Sequence, residues 1–359
     1  MLDIRCCGTD VRVSLFFEQL AGHYAGQLRR FNCDYPVALP QDRRFAQLRR
    51  VWITGRETGD YTLPYMDPAI LEEFCIYNAP PSFDLGVFGA GNGSSDIVFA
   101  ALERFELSYR QSGSPQPTHQ EVGPRRFHFP HLRNVHIRCH FDRCSAVENA
   151  VFPAAVDSFS IAGSSVLLPA VAAMPLPSTR DLDVYVVRRS GSTRSVFAAV
   201  DGILASTRPS HKVHLCTQDE RLPVPPECIA FFGLTKLVIY APTRTRTIFE
   251  LVQKLPRLVI LAVFTWTLDD FLPDIAVPAP AEHEPIPPFN TNIRALHLGR
   301  QPLDEGQEQA TLAVQYMMLR MPSLMDIYVD RVSAVQLGAF VSGYSRWYPH
   351  LPSVDMNIQ

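Results

Sequence analysis

One apolar spacing constrains this chain more than any other feature: an apolar residue, a second three positions later, and a third two positions after that. It reads Leu28-Phe31-Cys33, Leu48-Val51-Ile53, Leu71-Phe74-Ile76, Leu102-Phe105-Leu107, Leu132-Val135-Ile137 and Val156-Phe159-Ile161. It returns at Leu234-Leu237-Ile239, Leu258-Leu261-Val263, Ile293-Leu296-Leu298, Leu324-Ile327-Val329 and Leu351-Val354-Met356, with weaker copies at Thr179-Leu182-Val184 and Ser210-Val213-Leu215 between. The last two apolar residues of each copy alternate as in a strand with one buried face, and the first closes the corner before it. No such rung can bury its apolar face alone. Rungs must stack on one another, as repeats separated by about 20 to 35 residues do.

The segments between rungs must cover the buried side. Residues 195–205, 247–254, 309–320 and 333–344 carry apolar residues at helical spacing. Pro130, Pro256, Pro322 and Pro349 stand where helices would stop ahead of the next rung. The expected fold is α/β: an irregular leucine-rich-repeat solenoid, with a parallel β-sheet on the concave face and helices and loops on the convex face. It is expected to run over residues 1–359 as a single domain. Regular repeats place an asparagine or cysteine just after the strand, but here those positions hold Arg56, Arg110, His140, Pro242 or Trp266. Proline-rich stretches at 111–126 and 274–290 are expected to project as loops.

Composition narrows the function classes. A net charge of -3 leaves no basic excess for a phosphate backbone, so no nucleic-acid partner is expected. The eight cysteines are too dilute for a disulfide scaffold, which points to a reducing, intracellular setting, cytoplasmic or nuclear. The apolar run 258–266 is far short of the roughly 20 residues that span a bilayer, so no membrane is expected either.

Motifs for chemistry are incomplete. Gly89, Gly91 and Gly93 lack the lysine of a phosphate loop, and "GSSVLL" at 163–168 lacks the second glycine of a nucleophile elbow. The adjacent acids Asp269-Asp270 and Glu72-Glu73 have no arrangement that would separate their roles. The stretch "NVHIRCHFDRC" sets His136, Cys139, His140 and Cys144 close together. Strand alternation sends His136, Arg138 and His140 one way and Cys139 into the core, whereas zinc needs donors converging at about 2.0 to 2.3 Å. No metal, cofactor or catalytic residue is expected, and the chain is read as no enzyme.

Residues between the inward positions form an outward strip: Trp52, Tyr77, His136, Tyr185, His214, Tyr240, Phe264, His297 and Tyr328. Asp181, Asp183, Asp326, Asp330 and Asp355 lie among them. Aromatic anchors with charged neighbours suit a protein interface. Strand propensity alone also places aromatics on strands, so both explanations stand at this level.

"ILEEFCIYNAP" (70–80), "FHFPHLRNVHI" (127–137), "FNTNIRALHL" (289–298) and "WYPHLPSV" (347–354) resemble a fungal leucine-rich-repeat-like family similar to the repeat portions of F-box proteins. That resemblance implies a protein-recognition scaffold, a substrate-receptor arm for an unidentified protein. A Skp1-type adaptor is implied only if the intact product carries an F-box, and no F-box sequence is evident. The alternative is a solenoid that cradles a small ligand at the aromatic strip. Leu2 and Ile4 read as the tail of a rung, so a missing N-terminal cap and an exposed apolar edge near Leu2, Ile4 and Leu28 are expected.

Overall fold

A computed structural model describes residues 2–6, 11–36, 43–54, 65–79, 83, 85, 88, 96–109, 126–141, 144–187, 193–217, 233–268, 288, 292–300, 307–330 and 332–358. The loops expected at 111–126 and 274–290 fall almost wholly outside these residues, as do Gly89, Gly91, Gly93, Asp269 and Asp270. The chain divides into two compact units, one of residues 1–179 with 189–207, the other of 180–188 with 208–359.

In the first unit seven strands pair in parallel and in chain order. They are β1 (Leu2–Cys6), β2 (Leu28–Pro36), β3 (Arg50–Thr54), β4 (Glu73–Ala79), β5 (Arg104–Tyr109), β6 (Asn134–Cys139) and β7 (Ala155–Ser164). Their register aligns the repeat. Phe31, Val51, Phe74, Phe105, Val135 and Phe159 are successive partners, and so are Cys33, Ile53, Ile76, Leu107, Ile137 and Ile161. All twelve are buried.

At each corner a main-chain bond takes the place of the side-chain ladder that regular repeats use. Amides of Glu72, Glu103, Arg133 and Asp157 donate to the carbonyls of Arg49, Glu72, Glu103 and Arg133, one rung back each time. Every donor follows its rung's corner residue, so the rungs stack regularly without asparagines.

The helix expected at 195–205 forms in this unit, over Thr193–Thr207, but several other returns are strands. Short strands Asp96–Val98, Arg126–His128 and Ala150–Val151 build a second parallel sheet, and Arg44–Phe45 pairs with Tyr65–Met66. Pro130 therefore follows a strand and stops no helix. Phenylalanines fill the space between: Phe99 stacks on Phe129 at 5.1 Å, Phe129 meets Phe105 at 5.5 Å, and Phe105 lies parallel to Phe74 at 6.1 Å. Each pair adds about 0.5–1.5 kcal/mol beyond burial. Helices α1 (Val11–His23), α2 (Ser145–Glu148), α3 (Leu167–Ala172) and α4 (Thr193–Thr207) complete the unit, with α1 against β2 and α3 against α4. Ile4 and Leu28 are buried, which corrects the expected exposed apolar edge at those two residues; strand β1 supplies a further rung there.

The second unit holds β8 (Ser178–Val187), β9 (Lys212–Thr217), β10 (Lys236–Arg244), β11 (Ile260–Thr267), β12 (Ala295–Arg300), β13 (Asp326–Val329) and β14 (Asp355–Ile358), again parallel and in order. Leu182, Val213, Leu237, Leu261, Leu296 and Ile327 are partners down one inward column. Here helices do form the returns: α5 (Thr245–Lys254), α6 (Gln307–Arg320) and α7 (Ala334–Tyr344). Helix α6 buries Ala310, Ala313, Val314, Met317 and Met318, and Pro256 and Pro322 each follow a helix end as the sequence suggests. No described helix is long and apolar enough to cross a membrane.

The final rung differs from its sequence pattern. A 3-10 turn over Leu351–Ser353 takes up three residues, so Met356 and Ile358, rather than Val354 and Met356, oppose Ile327 and Val329. Ser210, read as a corner residue, is exposed, with Val213 and Leu215 alone carrying that rung inward. The core reading yields a direct test: Phe105→Ala removes the ring shared by two stacks, and the urea midpoint should fall by the equivalent of about 3–5 kcal/mol with an unchanged slope.

Candidate functional site

Because inward residues alternate with outward ones, the strands of each unit present three outward columns: one before the inward pair, one between its members and one after it. The aromatic residues anticipated as one strip occupy two of these. Trp52, His136, His214, His297 and Tyr328 lie in the middle column, and Tyr77, Tyr185, Tyr240 and Phe264 in the last. Asp181 and Asp326 stand in the first column, Asp183 in the middle, and Asp330 one residue past β13. All are at least partly accessible.

In the first unit these side chains are engaged with their own neighbours. Trp52 Nε1–H donates to Glu73 at 2.9 Å, and the Arg104 guanidinium lies 4.6 Å from the Trp52 ring centroid. Arg104 pairs with Glu106, which also accepts the Tyr77 hydroxyl. Burial and then that hydrogen bond push the Tyr77 phenol up from its ordinary value, so it stays a donor. Arg49 and Arg50 clamp Glu72 at 2.8 and 3.1 Å. Against the desolvation that burial imposes, those two guanidiniums hold the Glu72 carboxyl below the usual range. Each accessible pair is worth at most about 1 kcal/mol, but together they fix the rotamers of this face.

The cysteine and histidine cluster is divided by the strand. Cys139 and Cys144 are buried and hydrogen-bonded to one another, and that bond together with burial pushes the Cys144 thiol well above its ordinary value. His136 stays outward and half-buried. His140 departs from the outward placement: it is buried past the strand end, where its Nε2 accepts from Arg138 Nε at 3.2 Å. Among the described residues no group of three or more histidines, cysteines and carboxylates could hold a metal ion.

The second unit carries a continuous aromatic run. Tyr185 meets His214 edge-on at 5.2 Å, His214 meets Tyr240 at 5.0 Å, and Tyr240 stacks on Phe264 at 3.9 Å with 5° between the rings. Tyr240 and Phe264 are about two-fifths exposed (39% and 40%), enough to count as surface apolar groups. The charges beside them are paired internally. Asp181 bonds His211 at 2.8 Å, while Lys212 and His214 stand 3.2 and 3.3 Å from one oxygen of Asp183. That oxygen accepts no well-aligned hydrogen bond; Lys212 faces it as an ion pair and the His214 ring as a close neighbour. His214 Nδ1 is instead the partner of the Tyr185 hydroxyl at 3.1 Å. At the far strands His297 stacks on Tyr328 at 6.1 Å, and Asp326 accepts from Asn357 at 3.2 Å.

Residue-by-residue reading of the strip omitted Arg104, Glu106, Glu73, Lys212 and His211. Four of the five lie on the strands' outward columns, and counting one position back from each inward pair would have found Arg104, Glu73 and Lys212. His211, just before β9, is brought in by its corner. No protein-family model matches the chain, and neither does any curated protein.

Burial opposes ionisation of Asp183, but His214 and Lys212 more than offset it and hold its carboxyl below the ordinary aspartate value. A carboxyl depressed on folding contributes stability that is complete above the unfolded value and is lost as pH falls through the folded one. The melting temperature of the wild type should therefore decline more steeply below about pH 4 than that of Asp183→Asn, in parallel melts across pH 2 to 7. Coincident profiles would remove Asp183 from the account.

Proposed function

We propose that this chain is a non-catalytic protein-recognition scaffold of the irregular leucine-rich-repeat kind, and that the outward face of residues 180–188 and 208–359 receives the partner. The observation that carries this reading is the stacked Tyr240–Phe264 pair, exposed on a sheet face whose nearby charges are already paired. Buried parallel strands are normally covered on both sides. Aromatic groups held rigid by stacking lose little side-chain freedom when a partner covers them, and exposed aromatics of this kind anchor interfaces. The same face in the first unit is a weaker candidate, since Trp52 and Tyr77 direct their polar atoms into the Arg104–Glu106–Glu73 network.

The resemblance to repeat portions of F-box proteins supports a more specific role as a substrate-receptor arm inside the cell, cytoplasmic or nuclear. The cysteines at 75, 144 and 216 stand outside any disulfide, which suits a reducing setting. A Skp1-type adaptor belongs to this reading only where the gene product also carries an F-box. One observation favours the alternative of a small-ligand cradle: His214 Nε2 is buried without a hydrogen-bond partner beneath the aromatic run. A ligand with one polar group could satisfy it, and a thermal upshift with a metabolite, lost in His214→Phe, would favour that alternative.

The principal test is affinity capture with wild-type chain and with the Tyr240→Ala, Tyr328→Ala double variant. A stoichiometric partner should be retained by the wild type and lost by the variant, with the melting temperatures within about 4 °C of each other. Retention by both chains would contradict the face. A collapse of the variant's melting transition would show these residues to be structural.

A further inference from the structure

We propose that the turns opening β8 to β12 form a docking rim for an acidic segment of the partner protein, about six residues long in extended form. The inference rests on the protein-recognition reading above and names the chemistry that the partner must carry.

Successive turns of the second unit are tied main chain to main chain. The His211 amide donates to the Arg180 carbonyl at 2.9 Å, Thr235 to His211 at 3.0 Å, Val259 to Thr235 at 2.8 Å and Arg294 to Val259 at 2.9 Å, so each turn lies beside the next. Every one of these turns bears a cation: Arg180 at β8, Arg208 ahead of β9, Lys236 at β10, Arg257 ahead of β11 and Arg294 at β12. The arginines are exposed and Lys236 is half-buried. Among the described residues none of these cations has an ion-pair partner.

The acids nearby are already taken. Among the described residues of these turns the only carboxylate is Asp181, which His211 holds at 2.8 Å. Asp183, two residues along β8, is met by Lys212 at 3.2 Å. The sequence leading into the turns of β10 and β12, residues 228–232 and 285–291, carries no charge. A chain with a net charge of -3 therefore gathers cations without counterions along one edge of this unit. Cations on neighbouring rungs repel one another, and a run of carboxylates laid across them relieves that repulsion.

The rim has a defined length. The next turn, residues 321–325, carries no charge, and the last two strands open on Asp326 and Asp355. From β8 to β12 is four strand spacings, about 19 Å, which about six residues of extended chain cover. What lies between the cations selects the polyanion. Ser210, Thr235, Pro256 and Asn292 stand beside them, and no Phe, Tyr or Trp occurs among the described residues of these turns, so bases find nothing to stack on. Asp181 at one end and Asp326 and Asp355 past the other repel the unbroken charge of a phosphate backbone, whereas a peptide can set neutral residues opposite them. The rim suits a glutamate- or aspartate-rich protein segment rather than a nucleic acid.

The probe is a fluorescently labelled hexaglutamate peptide, compared with the isosteric hexaglutamine peptide and with labelled hexathymidylate, each titrated onto the full chain by fluorescence anisotropy at low salt. Hexaglutamate should bind about tenfold or more tighter than hexaglutamine, bind tighter than hexathymidylate, and weaken as salt rises. The double variant Arg257→Gln, Arg294→Gln should weaken it about fivefold, whereas the charge-matched Arg133→Gln, Arg246→Gln, outside the rim, should leave it within about twofold. Equal binding of hexaglutamate and hexaglutamine, absence of binding, hexathymidylate bound as tightly as hexaglutamate, or the same loss in both double variants would overturn the rim. Failure of the rim with partner capture still sensitive to Tyr240→Ala, Tyr328→Ala leaves the recognition face standing; insensitive capture removes the face itself.

Discussion

Hydrogen bonds between parallel strands hold Phe74 beside Phe105 and Leu261 beside Leu296, and this in-register stacking of inward side chains is the constraint on which the rest depends. A slip of one residue would turn each buried side chain to solvent and each outward one into the core. The corner bonds, such as Glu103 to Glu72 and Val259 to Thr235, repeat one rung at a time and protect that register from the main chain. Outward columns inherit their order from the inward ones. Tyr240 can stack on Phe264 only because Ile239 and Val263 are register partners beneath them.

The two units cover their buried side differently, and the consequences reach the outward face. Residues 96–98, 126–128 and 150–151 close the first unit with short strands, and phenylalanines bridge the sheets. Helices α5, α6 and α7 close the second. On the first unit's outward face, arginine, glutamate, tryptophan and tyrosine satisfy one another. On the second, polar groups pair off around Asp181 and Asp183 beside the exposed stacked pair Tyr240 and Phe264. Rigidity with exposed apolar surface is what recognition requires, because the ordering cost has been met before the partner arrives.

Much of this was legible in the residues. Thirteen copies of one spacing located thirteen of the fourteen ladder strands among the described residues, since period-two burial leaves a plain trace wherever one face is apolar. The exceptions have physical causes. At the last rung a 3-10 turn over Leu351–Ser353 moves the pairing residues two positions past the spacing, to Met356 and Ile358. Pro130 breaks helices and strands alike, so proline could not tell which return preceded it. The strip residues were found by alternation, but alternation does not say how rings tilt across strands or which charges are already paired.

On the proposed reading, the partner lies on the sheet face at Tyr240 and Phe264 and not on the helical side. Photo-crosslinking inside the cell measures this most directly, with a benzoyl-bearing phenylalanine analogue installed at position 240 or 264 and, for comparison, at the exposed helical positions Leu312 and Val335. The account predicts one crosslinked adduct of defined mass from positions 240 and 264 and none from 312 and 335. Adducts from the helical positions alone, with positions 240 and 264 silent, would contradict it.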